Sequence, residues 1–207
     1  MRRLVFTGGY KFNAVFYGLC SSHFELKPFM NEFAKDYVNQ FGCSRIKRIV
    51  SVDMTPYMRN TVWEGGLAKG SWTDDDFLRD LDRVFDDVGF GCWEIAKVMN
   101  PALAKTPKKY ESSMTAASRE NIDPLTFGGL WYSLFRTDQR GAMQKITVPF
   151  LYIMPENGLY SMVTADFIRE HVKGGFVLEK NFPGTTHLIL MEKPRDVAER
   201  VKAFMKG

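Results

Sequence analysis

The sequence predicts an α/β fold: a mostly parallel sheet flanked by helices, with an all-helical insertion between its strands. Two observations predict it. Near both ends of the chain, short β-branched and aromatic runs alternate with amphipathic stretches of helix length, the pattern of βαβ units. Between them, from Thr61 to Lys145, helical periodicity runs on without a convincing strand.

Each element follows from its residues. Asn13 to Tyr17 (NAVFY) reads as a strand and is followed by Gly18. Phe29, Met30, Phe33, Ala34, Tyr37, Val38 and Phe41 have helix spacing, and Gly42 supplies a C-terminal stop. Arg48 to Val52 (RIVSV) reads as a buried strand, ended by the loop Asp53-Met54-Thr55-Pro56.

In the insertion, Thr73 followed by three aspartates marks a helix start, with acids in the first turn. Phe77, Leu78, Leu81, Val84, Phe85 and Val88 form its expected apolar stripe, and a second helix is expected near Trp93. Pro101, Pro107, Pro124 and Gly128-Gly129 punctuate the rest. Alternation then resumes: strand at Pro149–Met154, helix at Ser161–Lys173, strand at Gly175–Glu179 and amphipathic helix at Pro194–Met205. The expected organisation is a core from residues 1–60 and 146–207, with the insertion at 61–145.

Composition excludes several function classes. The chain has 207 residues, 45% hydrophobic and 25% charged, which is globular and neither disordered nor coiled-coil. The net charge of +4 comes from scattered Lys and Arg rather than a dense run, so no nucleic-acid face is expected. Cys20, Cys43 and Cys92 are odd in number and lack CxxC spacing, which argues against a zinc site and for a reducing, cytoplasmic setting. No apolar run reaches the ~20 residues of a membrane span. The opening MRRLVF leads straight into polar and glycine residues, unlike a signal peptide. Neither a cofactor nor a metal is expected.

The stretch Phe182-Pro183-Gly184-Thr185-Thr186-His187, followed by Glu192-Lys193-Pro194, presents a histidine on a loop between a strand and the last helix. Upstream stands Ile146-Thr147-Val148-Pro149-Phe150-Leu151-Tyr152-Ile153. In this order, the motifs resemble the α/β-hydrolase superfamily: a "vPxLxixG" strand, a helix, a strand, a catalytic-histidine loop and an "ExP" helix start. Arg45 to Pro56 is similar to the strand after that family's nucleophile helix, and Trp131 to Ile146 to the end of its helical cap. The resemblance covers residues 35–207 and is to capped, haloperoxidase- or esterase-like members.

The resemblance implies a nucleophile–histidine–acid triad. His187 is the expected general base, since imidazole titrates near neutral pH. The family's G-x-S-x-G elbow aligns with Gly18-Leu19-Cys20-Ser21-Ser22, which puts Cys20 at the nucleophile position, as in members resembling dienelactone hydrolase. Ser21 takes that role if the turn is shifted by one, and Cys20 also reads as a core cysteine. Two acids compete. Glu156 lies in the loop after the "vPxLxixG" strand, and Asp53 follows the preceding core strand. Either carboxylate would hold His187 in the right tautomer, and each also reads as an ordinary loop acid.

Only 17 residues precede Gly18, and no HGG-type oxyanion segment occurs. The expectation is therefore an N-terminally truncated core, whose exposed sheet edge could support a homodimer. The expected function is a hydrolase of a small ester, lactone or amide with an apolar part. The aromatic residues Trp63, Trp72, Trp93, Phe127, Trp131 and Tyr132 of the insertion read first as helix-core packing and otherwise as the lining of an apolar pocket beneath a cap. The alternative is a truncated, inactive relic or binding module on the same fold.

Overall fold

The computed structural model describes residues 12–17, 42–44, 46–61 and 63–206. The expected helix at Phe29–Phe41 lies outside them.

Among the described residues, four strands form one parallel sheet in the order β1 (Phe12–Tyr17), β2 (Ile46–Val52), β3 (Phe150–Ile153) and β4 (Phe176–Glu179). Val52 pairs with Ile153, which pairs with Glu179, so the strands end together and present their following loops at one edge. Ile49, Val50, Ser51 and Val52 are all buried, the near-continuous burial of a parallel strand covered on both faces.

The two faces feed separate cores, because successive side chains on a strand point in opposite directions. Ile49, Phe150 and Tyr152 pack with Ile168 on one face, and Val50, Leu151 and Ile153 pack with Ile189 and Val197 on the other. Between β2 and β3 come α1 (Asp74–Asp86), α2 (Val88–Met99), α3 (Lys108–Asn121), α4 (Pro124–Arg136) and the single turn α5 (Arg140–Met143). After β3 come α6 (Met162–His171), then β4, the single turn α7 (Ile189–Glu192) and α8 (Pro194–Lys206). A third core joins α1, α2 and α4 to Met54, Met58, Leu159 and Tyr160 in the loops after β2 and β3.

Helix α1 starts as its residues dictate. Thr73 Oγ1 accepts from the Asp76 amide and the Asp76 carboxylate accepts from the Thr73 amide, a reciprocal capping box. Its apolar stripe is narrower than expected. Phe77, Leu81 and Val84 are buried, but Leu78 and Phe85 are about half exposed. Val88 belongs to the next helix, which begins there and not near Trp93. The reason is Asp87, whose carboxylate accepts from the Gly89 and Phe90 amides and restarts the helix at once. Gly91 lets α2 press onto α1, since a Cβ there would lie 2.6 Å from the Val84 backbone.

Candidate active site

The loops at the carboxyl ends of β2, β3 and β4 converge on Asp53 and His187. Asp53 follows β2 directly, and its amide donates to the Ile153 carbonyl (2.8 Å), which ties it to β3. Its backbone turns into the left-handed region (φ 41°), which Asp tolerates better than most residues. This turn ends the strand and sits where backbone strain tends to collect, beside a polar site.

His187 lies on the loop between β4 and α7, and its Nδ1 is 2.9 Å from Asp53 Oδ2. Both side chains are buried, at 2% and 0% exposure, so the pair is shielded from bulk water. A carboxylate oxygen accepts, so the geometry suits a ring that donates to it from Nδ1–H.

The loop after β3 buttresses the acid. The Leu159 amide donates to Asp53 Oδ2 (2.8 Å), the same oxygen that meets His187. Oδ1 has no hydrogen-bond partner among the described residues and faces Gly158, where a Cβ would lie 2.5 Å away. The Tyr160 ring meets the imidazole edge to face, with centroids 6.5 Å apart. Burial pushes the Tyr152 and Tyr160 hydroxyls well above their ordinary value of 10, and the nearby Asp53 carboxylate adds to it.

Of the two acids the sequence offers, Asp53 holds the imidazole. Glu156 is exposed and accepts instead from the Gly184 amide (2.7 Å), at the start of the His187 loop. Cys20 and Ser21 lie outside the described residues. Glu192 is a residue the sequence analysis passed over as part of the "ExP" pattern. Its carboxylate accepts from the Thr186 amide (2.7 Å) and the Thr186 hydroxyl (2.6 Å).

Asp80 is a second missed residue. It is buried on α1 at 2% exposure, and burial pushes its carboxyl up to about 6 despite Arg83 at 3.6 Å. The signal was its spacing: it stands three residues after Phe77 and four before Val84, inside the apolar stripe.

The aromatic residues of the insertion serve packing first. Trp93, Phe127 and Trp131 are buried, and Phe77 stacks on Phe135 at 3.9 Å between centroids. Trp72, Asp80, Trp131 and Leu159 line a cavity of about 10 Å³, room for one water-sized molecule and not for an acyl chain. Among the described residues, no group of His, Cys, Asp and Glu could hold a metal ion, and no helix is long and apolar enough to cross a membrane.

No family model and no curated protein sequence matches this chain. Solved structures do. A bromoperoxidase from Bacillus anthracis is 14% identical with a TM-score of 0.68, covering 96% of this chain and 68% of its own. The esterase EaEST from Exiguobacterium antarcticum gives the same values. MGS-M2, an α/β-hydrolase enzyme from a Medee basin deep-sea metagenome library, is 15% identical with a TM-score of 0.65, covering 94% of this chain and 66% of its own. This chain thus spans about two thirds of the length of these neighbours. With its parallel sheet, its flanking helices and its loops gathered at the strand ends, the chain has the α/β-hydrolase fold.

Proposed function

We propose that this chain carries the histidine and acid of a hydrolase that cleaves a small ester, lactone or amide by acyl transfer. The observation that supports it is the buried hydrogen bond between His187 Nδ1 and Asp53 Oδ2. A carboxylate on Nδ1 orients the ring and stabilises the imidazolium that forms when Nε2 takes a proton.

In this reading, Nε2 removes the proton of the nucleophile, Cys20 or, failing it, Ser21. The nucleophile adds to the substrate carbonyl, and the tetrahedral intermediate collapses as the imidazolium returns the proton to the departing alcohol or amine. Water, deprotonated by the same Nε2, then hydrolyses the acyl-enzyme. The helices between residues 61 and 145 act as a cap over the apolar part of the substrate.

The test is turnover of p-nitrophenyl acetate by the wild type, His187→Ala, Cys20→Ala and Ser21→Ala. Loss of on the order of 10²–10⁴ in rate for His187→Ala and for one of the two nucleophile variants supports the reading. Wild-type turnover no faster than that of His187→Ala rejects it and favours a non-catalytic binding module.

A further inference from the structure

The loop that carries His187 is fastened by two carboxylates, one at each end. Glu156, in the loop after β3, accepts from the Gly184 amide at 2.7 Å. Glu192, the last residue of α7, accepts from the Thr186 amide at 2.7 Å and the Thr186 hydroxyl at 2.6 Å. The Thr186 hydroxyl oxygen in turn accepts from the Leu188 amide at 3.2 Å, and its carbonyl accepts from the Ile189 amide at 3.0 Å. Glu192 therefore holds the backbone on both sides of His187, directly at Thr186 and through it at Leu188.

We infer that Glu192 is a positioning residue for His187: through Thr186 it holds the loop so that Nδ1 stays on Asp53. The inference rests on the hydrolase reading for its catalytic meaning, but the placement of the ring is measurable without turnover. Three arguments support it. Charge-assisted bonds to a carboxylate are about twice as strong as neutral ones, so the pair at Thr186 is a stiff restraint. Glu192 is exposed, so stability alone does not require a carboxylate there. The bond from Nδ1 joins this loop to Asp53, which follows a different strand, so its 2.9 Å length depends on where the loop holds the ring.

The experiment compares wild type, Glu192→Ala, Glu192→Gln and Thr186→Val. Long-range 1H–15N spectra read the tautomer of His187, assigned among the three histidines by its loss in His187→Ala. The wild type is expected to show the proton on Nδ1, facing Asp53. Glu192→Ala is expected to give a mixture of tautomers, with kcat down about 10- to 100-fold and KM within about two-fold. Glu192→Gln keeps an acceptor for the Thr186 amide and is expected to restore most of both. Thr186→Val keeps the amide and loses the hydroxyl, and should fall between them.

A His187 tautomer in Glu192→Ala identical to the wild type overturns the inference, as does Glu192→Gln no better than Glu192→Ala. If Glu192→Ala fails to fold, the tautomer in Thr186→Val decides: unchanged, it overturns the inference. If the wild type shows no turnover but the tautomer responds as described, the hydrolase reading fails while the positioning role of Glu192 stands.

Discussion

Gly158 stands against the Asp53 carboxylate so closely that a side-chain methyl there would lie 2.5 Å from Oδ1 and 2.7 Å from Oδ2. The acid reaches His187 only because this position carries no Cβ. Gly158→Ala must therefore move either the carboxylate or the loop after β3. We expect a loss of about 1–3 kcal/mol in stability and of the order of 10²-fold in kcat. Gly129→Ala is the control, because a Cβ there meets nothing within 4 Å and Ala favours the helix by up to about 1 kcal/mol. Equal melting temperatures and rates for the two variants would show that the close approach has no consequence.

The choice between Asp53 and Glu156 is open to direct test. Asp53→Asn keeps the shape but offers an amide where Nδ1–H needs an acceptor, and the wrong tautomer then costs on the order of 10³–10⁴ in kcat. Glu156→Gln keeps an acceptor for the Gly184 amide and should cost less than about ten-fold. Steady-state rates for the pair decide. Losses of similar size would remove Asp53 from its assigned role.

Asp80 makes stability depend on pH. Its carboxyl is raised from 3.8 to about 6 in the folded chain, so the folded state holds a proton that the unfolded state releases earlier. The stabilisation is full below about 3.8 and is lost as pH rises through about 6. Burial is the main cause; Arg83 and Arg79 oppose it, and Asp76 and Glu94 add to it. Asp80→Asn removes this dependence. Its stability relative to wild type should improve by on the order of 2–3 kcal/mol between pH 4 and pH 8. Urea unfolding of both proteins at the two pH values checks it, and a constant difference between them would count against it.

Thr73→Ala should cost about 1 kcal/mol, since it removes the oxygen that accepts from the Asp76 amide at the start of α1. For a chain of this length that corresponds to roughly 2–4 °C in melting temperature. Thr73→Ser, which keeps the oxygen, should stay close to wild type. A scanning calorimeter reads both.

Much of this was legible because it is local. The start of α1 lies in Thr73 and Asp76, three residues apart, and the buried strand β2 lies in its own run of β-branched residues. The failures were also instructive. Leu78 and Phe85 have helix spacing but stand half exposed, because spacing shows which residues share a face and not how wide the covered part of that face is. The start of α2 was misplaced because one side chain, Asp87, closes one helix and opens the next with no intervening turn residue.

Taken alone, the sequence determined the parallel α/β architecture, the helical stretch between its halves and a histidine on the loop before the last helix. These follow from periodicity and from residues close together in the chain. Only the tertiary structure decided that the Asp53 carboxylate, 134 residues away, meets the ring of that histidine, and that Glu156 and Glu192 bind the backbone of its loop instead. The physical reason is the sheet. Parallel pairing of β2, β3 and β4 brings three distant loops to one edge, and a hydrogen bond across that edge depends on register and the space left at Gly158, neither of which any single segment encodes.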